Sequence, residues 1–285
     1  MADRPRDEAQ LIVLEDAAAV ARETARRVLE KLSEAIEGRG VAHIALTGGS
    51  SAVPLYHELT TPESRAALDW DHVHLWWGDE RFVPIDHPES NAGMAYRLLL
   101  AMPTRAAQTG SGGDYDDVTA GEVPGLLINP ENVHPVEVEE TLGDSEPVEL
   151  AAQRYSRDLA RWVPTARHGV PRFDVILSGI GPDGHIMSIF PGSAALAPDA
   201  PTAIGVPAPT HVEPHLPRVT LTARLLPLAG AVFVMASGEG KRAMMANILG
   251  PERDPQRWPA QAALLPNSVW LLDRAIAPPG HPAAR

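Results

Sequence analysis

An aspartate and a histidine two residues apart, set in a glycine-rich turn, form the part of this chain best equipped for chemistry. The stretch Ser178-Gly-Ile-Gly-Pro-Asp-Gly-His-Ile-Met-Ser-Ile-Phe-Pro-Gly192 follows the apolar run Phe173-Asp-Val-Ile-Leu177. Such a run, bounded by glycines, predicts a buried strand ending in a loop. Ligands of an open α/β sheet bind outside the carboxyl ends of its strands, which is where Asp183 and His185 fall. Histidine titrates nearest neutral pH, and a carboxylate can orient an imidazole and raise its basicity. The pair reads as a candidate acid–base dyad in which Asp183 orients the His185 imidazole. An isolated Asp-Gly-His would read as a cap beside a structural histidine; the glycine density and the strand-end position favour function.

Three further constellations follow apolar runs in the same way. In Leu46-Thr-Gly-Gly-Ser-Ser-Ala-Val-Pro-Leu55, Gly48 and Gly49 allow close backbone approach to a ligand. Ser50 or Ser51 can cap the helix that follows, whose free N–H groups favour a phosphate. The loop has neither the Gly-Lys-Ser/Thr of a P-loop nor a dinucleotide fingerprint, and spacing alone leaves open an ordinary turn that binds nothing. In Trp77-Gly-Asp-Glu-Arg-Phe-Val-Pro84, with Ser90-Asn91 opening the next helix, three consecutive charges would be costly if buried unpaired. Arg81 has the planar fork to clamp a phosphate or carboxylate; the alternative is a surface ion-pair cluster. In Ser237-Gly-Glu-Gly-Lys-Arg242, Lys241 is either a phosphate contact or a solvated lysine at a helix start. The other histidines show no ligand spacing such as HExxH, so no metal site is expected.

The elements that must hold these turns alternate along the chain. Helical patterns cover Glu15 to Ile36, Ala52 to Leu59, Asn91 to Ala101, Pro147 to Trp162 and Lys241 to Leu249. Strand-like runs cover Val41 to Leu46, His72 to Trp77, Asn132 to Val136, 173–177, Arg218 to Thr222, Ala231 to Ala236 and Val269 to Leu272. Alternation of this kind predicts an α/β fold: a Rossmann-like, mainly parallel sheet with helices on both faces. Residues 1–10 read as a flexible tail, 104–123 as a surface insertion, and the proline-dense 197–217 as an extended surface loop. The strand–helix pattern resumes unchanged on each side of both interruptions, so a single domain over 1–285 is expected.

Composition narrows the function. The chain has no cysteine, which excludes disulfides, thiolate nucleophiles and Cys-built zinc sites. No apolar run reaches the ~20 residues that span a bilayer, and the charged first residues lack the apolar core of a secretory signal. A cytoplasmic protein with no membrane partner is the expectation. A formal charge of −13 argues against nucleic acid, whose phosphates need a basic face, but not against one small anion held by local cations. Nothing in the residue pattern specifies an oligomeric state.

Taken together and in order, the motifs resemble the 6-phosphogluconolactonase family. The matching pieces run over most of the chain: Thr47-Gly-Gly-Ser-Ser51, Asp79-Glu-Arg-Phe-Val-Pro84 with Ser90-Asn91, Glu131-Asn-Val-His-Pro135, Gly179 to His185 into Ser188-Ile-Phe-Pro-Gly192, Pro217-Arg-Val-Thr-Leu-Thr222, and Gly240-Lys241. The resemblance implies the fold of sugar-phosphate isomerases and deaminases. It also implies hydrolysis of 6-phosphoglucono-δ-lactone, a small sugar phosphate lactone, in the oxidative pentose phosphate pathway, without metal or organic cofactor. It puts the general base at His185 and phosphate contacts at Gly48, Gly49, Ser50, Arg81 and Lys241. The family commonly has His-Thr-Ala-Ser-Leu-Phe-Pro-Gly where this chain has His185-Ile-Met-Ser-Ile-Phe-Pro-Gly192, which removes a hydroxyl at Ile186. Glucosamine-6-phosphate deaminases share Asp-Gly-His-Ile but typically carry Asp-Glu-Tyr in place of Asp79-Glu80-Arg81 and Phe-Asn-Glu-Pro in place of Ser188 to Pro191. A non-catalytic sugar-phosphate sensor would have no need of the base.

Overall fold

The computed structural model describes residues 9–100, 125–143, 146–166 and 169–277; the expected insertion at 104–123 and residues 1–8 of the expected tail lie outside them. In chain order the strands among the described residues are β1 (Gln10–Leu14), β2 (Ala42–Leu46), β3 (Val73–Trp77), β4 (Asp79–Arg81), β5 (Val175–Ser178), β6 (Ala203–Val206), β7 (Arg218–Leu221), β8 (Ala231–Ala236) and β9 (Ser268–Asp273). The helices are α1 (Ala17–Arg39), α2 (Ala52–Leu59), α3 (Pro62–Ala66), α4 (Asn91–Leu98), α5 (Glu139–Gly143), α6 (Val148–Trp162) and α7 (Arg242–Ile248).

The main sheet is parallel, in the order β1-β9-β8-β5-β2-β3. Strands β2, β5 and β8 are buried along their whole length, the signature of a sheet covered on both faces. Alternate residues go to opposite layers. Ile44, Leu46, Leu75, Trp77, Val175 and Leu177 pack in one core with α1, α2 and α4. Ala45, Trp76, Ile176, Val232 and Val234 pack in the other with α6 and α7. Helix α1 is set at both ends: Asp16 accepts from the N–H of Ala19 at 2.8 Å, and Gly40 closes it in the left-handed region at φ 77°, where glycine has no Cβ penalty.

A second, antiparallel sheet of β4, β7 and β6 was not foreseen. Two of its strands occupy positions expected to be loop: β4 lies in the charged Asp79-Glu-Arg turn, and β6 lies inside the proline-dense 197–217 segment. Neither has the apolar periodicity of a core strand, and each is a strand because its partner in this sheet satisfies its backbone. The expected strand at 132–136 is a turn of 3₁₀ helix at Pro130–Asn132 with a single bridge from Val133 to Leu75. Pro135 has no N–H with which to extend the ladder. The expected tail ends earlier than residue 10, since Ala9 is buried and Gln10 opens β1, paired with Val269 of β9.

Near the amino-terminal ends of β2 and β3 three histidines stack. The His43 and His74 rings lie 4.6 Å apart, His74 Nδ1 is 2.9 Å from His134 Nε2, and His134 lies flat on Trp76 at 4.0 Å. The Trp76 indole can only donate, and it points at His43 Nδ1 at 3.3 Å, so that nitrogen carries a lone pair and the ring is neutral. Burial, with His74, His134 and Arg39 nearby, pulls the His43 pKa down to about 3. Burial and the His74 charge pull His134 to about 4, and burial lowers His74. The unfolded chain protonates these rings from about pH 6.5 downwards while the folded chain resists. Stability is therefore expected to be full above about pH 6.5 and to fall as the pH drops towards 4 and 3. The urea midpoint measured across that window should decline, and His134→Gln should flatten the decline.

Candidate active site

The chain runs outward from β2 to β3 on one side and from β5 to β8 and β9 on the other, so the strand order reverses between β2 and β5. Ligands of open α/β sheets bind at such a switch point, at the carboxyl ends of the strands. A cavity of about 290 Å³ opens there. Its walls come from every constellation singled out by the sequence: Thr47 to Ser51 after β2, Asp79 and Arg81 on β4, Gly179 to Pro182 with His185 after β5, and Lys241 ahead of α7. Four further wall residues, Asn91, Met187, Glu213 and Arg218, are not among the expected site residues.

The turn after β2 is held by Tyr56, whose hydroxyl donates to the Thr47 carbonyl at 2.6 Å. Gly49 has φ 77°, so glycine is required there by conformation. Gly48 is required by space, but for a different neighbour than expected: a Cβ would lie 1.7 Å from Asn91 Oδ1. The missing side chain makes room for Asn91, which donates to the Asp79 carbonyl at 2.8 Å. The expected serine cap of α2 is not formed: Ser51 occupies the cap position in right-handed helical geometry and makes no side-chain bond.

The three charges of β4 each find partners. Asp79 is buried and accepts from the Ser188 hydroxyl at 2.6 Å. Glu80 is buried and accepts from the N–H groups of Asn91 at 2.8 Å, Ala92 at 2.7 Å and Arg81 at 2.7 Å. Burial pushes its carboxyl up to about 7, against the pull of those amides. Ser90 caps α4 by accepting from Gly93 N–H at 2.9 Å. Glu80 and Ser90 together place Asn91 on the cavity wall.

His185 and Asp183 form the expected pair. His185 Nδ1 lies 2.5 Å from Asp183 Oδ1, and the His185 N–H donates to the same oxygen at 3.2 Å. Burial raises the Asp183 pKa, but bonding and charge from His185, with a bond from His211, outweigh it and hold the carboxyl well below the usual carboxylate range. An ionised carboxylate only accepts, so Nδ1 carries the hydrogen and Nε2 of the neutral ring keeps its lone pair. His185 is on the cavity wall with Asp183 bonded behind it. The imidazole lies over Gly181, where a Cβ would come within 2.0 Å of its Cε1. No helix starts after this turn: Ile186 is fully buried and bridges Ile189, so the hydroxyl lost at that position is replaced by core packing.

Arg81 and Lys241 reach the cavity, and each also ties down a wall. Arg81 Nη1 donates to the Glu89 carbonyl at 2.7 Å and to its carboxylate at 3.2 Å. Lys241 Nζ donates to the Ile180 carbonyl at 2.7 Å, and burial lowers its pKa. The main residue missed is Arg218. Register places it directly opposite Arg81 across β4 and β7, and like charges so placed are destabilising. Both side chains line the cavity, and both have a buried Nε with no hydrogen-bond partner. Burial lowers the Arg218 pKa, and the Arg81 charge adds to this against the pull of Asp79. The sequence signal for it was Pro217-Arg-Val-Thr, an arginine opening a strand. The second miss, His211, approaches Asp183 from the proline-dense segment at 2.8 Å. Among the described residues no group of three or more His, Asp or Glu is arranged to hold a metal ion, and no helix is long and apolar enough to cross a membrane.

Residues 15–271 match the family described as glucosamine-6-phosphate isomerases/6-phosphogluconolactonase. The chain belongs to this family. Within it, the chain is 34% identical over 280 residues to the 6-phosphogluconolactonase of Streptomyces coelicolor, covering 97% of this chain and 95% of that one. It is 34% identical over 250 residues to the 6-phosphogluconolactonase of Synechocystis, covering 87% and 88%. The solved 6-phosphogluconolactonase from Trypanosoma cruzi superposes with TM-score 0.75 at 26% identity, covering 94% of this chain and 96% of that one. A monomeric glucosamine-6-phosphate deaminase superposes with TM-score 0.70 at 15% identity over 94% of this chain and 98% of that one, a likeness of fold alone. The expected fold and family resemblance are therefore both borne out.

Proposed function

We propose that the chain hydrolyses 6-phospho-D-glucono-1,5-lactone to 6-phospho-D-gluconate, the lactone step of the oxidative pentose phosphate pathway, with His185 as the base that activates water. One cavity lined by two chemically different groups carries this assignment. One is an imidazole oriented by a carboxylate, and the other is a pair of arginines in cross-strand register. An anion held by the guanidiniums relieves their repulsion through charge-assisted hydrogen bonds.

The lactone is an activated ester and needs no covalent nucleophile. Its phosphate sits against Arg81, Arg218, Lys241 and the Gly48-Gly49-Ser50 turn, which fixes the ring relative to His185 and supplies proximity. His185 Nε2 takes a proton from water as its oxygen attacks the C1 carbonyl. Asp183 stabilises the imidazolium that forms. Free loop N–H groups beside the cavity stabilise the developing oxyanion; the Gly181 N–H is already given to the His185 carbonyl at 2.9 Å. The C1–O5 bond then breaks, and the ring oxygen takes the proton from His185 to leave as the hydroxyl of the open acid. No redox step occurs, so the chemistry calls for no organic cofactor, and a positioned base with an oxyanion site suffices to open an activated ester.

On this assignment the chain is one α/β domain, cytoplasmic, with a small-molecule substrate and neither nucleic acid nor membrane as partner. With a formal charge of −13, capture of an anionic sugar phosphate depends on the local cations of the cavity rather than on long-range attraction. Turnover of fresh lactone, corrected for spontaneous opening, against glucosamine 6-phosphate tests it. Acid release from the lactone with no ammonia from the amino sugar is expected; ammonia release without lactonase activity would overturn the assignment.

A further inference from the structure

Both oxygens of Asp183 are bonded, and to different parts of the fold. Oδ1 faces the His185 ring and N–H. Oδ2 faces His211 Nε2 at 2.8 Å, and because the carboxylate only accepts, that nitrogen carries a hydrogen. Asp183 and His185 side chains are each 15% exposed and His211 is 48% exposed, so His211 covers the outer side of the pair. Its loop is held in place: His215 Nδ1 donates to the Pro209 carbonyl at 2.6 Å. Phe190 joins the pieces. Its ring meets His185 at 4.8 Å, takes the edge of His211 at 5.7 Å and 82°, and carries the Arg218 guanidinium at 5.3 Å.

A carboxylate bonded through one oxygen is poorly fixed, because the torsion about its terminal bond is broad. Rotation of Asp183 would swing Oδ1 away from Nδ1 and release the imidazole from the orientation in which Nε2 acts. A donor on the second oxygen, delivered by a separate segment, removes that freedom.

We propose that His211 is a positioning residue for the lactone step: by holding Asp183 Oδ2 it keeps Oδ1 aligned on His185, and it links the segment carrying Arg218 to the base. This rests on His185 being the base. The depressed pKa of Asp183, to which the His211 bond contributes, agrees with a carboxylate that stays ionised between two donors. His211 does not reach the cavity wall, so its effect should fall on turnover rather than on substrate affinity.

The test is steady-state kinetics on His211→Ala and His211→Gln, each also in an Asp183→Asn background. His211→Ala should lower kcat roughly 10-fold with KM nearly unchanged and an unchanged melting temperature, since the ring is half exposed. His211→Gln, whose amide N–H can still reach Oδ2, should recover most of that loss. His211→Ala should cost nothing further once Asp183→Asn has removed the carboxylate. Full turnover in His211→Ala, a loss carried by KM, a glutamine no better than alanine, or additive losses with Asp183→Asn would each overturn the proposal. His185→Ala in parallel separates the two assignments: if it is inactive while His211→Ala is fully active, only the role of His211 fails; if His185→Ala is fully active, the base assignment fails first.

Discussion

Replacing His185 with alanine is expected to lower kcat for the lactone by roughly 10²- to 10⁴-fold, the range a positioned general base contributes. Binding of 6-phosphogluconate should be largely retained. The split follows from where the groups stand. The imidazole lies over Gly181 on one wall, while the arginine pair is placed by β4 and β7 of the second sheet. The arginines are placed by their strands, so they stay on the cavity wall when the imidazole is removed. The check is kcat from initial rates on fresh lactone, with product affinity measured by calorimetry on the same preparation. Activity near the wild-type value would mean that some other group activates the water.

Arg218→Gln is expected to raise KM by roughly 10- to 100-fold, the worth of one hydrogen bond to a charged group, with a much smaller change in kcat. Glutamine keeps the aliphatic stem on the wall but loses the charge and the reach by which Arg218 Nη2 bonds the Pro214 carbonyl at 2.9 Å. The physical basis is the unusual cost of the arginine pair. Two guanidiniums in direct register, each with a buried and unpaired Nε, are poorly satisfied by the protein alone. An anion between them is the group that offsets that cost. The thermal shift that 6-phosphogluconate produces in the wild type should shrink in the variant, as expected when a ligand no longer binds the folded state tightly. An unchanged KM would place the phosphate elsewhere in the cavity.

Much of the site was legible because its parts are local. Asp183 and His185 are two residues apart in a glycine-rich turn at a strand end, and that placement points to the bond they form. Gly48-Gly49 was recognised as a turn with special backbone demands, and Gly49 does adopt a positive φ. A second demand on Gly48 is not legible in the sequence, because Asn91, which takes the space of its Cβ, arrives from a different element. Helices α1, α2, α4, α6 and α7 are legible from apolar spacing and, for α4, from Ser90 at its start; the five-residue α3 and α5 are too short to show a period. Strands β4 and β6 were not, because neither carries the apolar periodicity of a buried strand; their pairing with β7 makes them strands.

The sequence by itself determined the alternating strand–turn–helix order, the mainly parallel sheet, the pairing of Asp183 with His185, and the family to which the motifs belong. These depend on residues within a few positions of one another, where periodicity, glycine placement and side-chain type act directly. Only the tertiary structure decided that Arg218 faces Arg81, that His211 closes on Asp183, and that Asn91 fills the space above Gly48. Each joins segments far apart in the chain. Strand order and register settle which of those segments meet, and a one-residue slip in register would part the arginines, since successive side chains along a strand point to opposite faces.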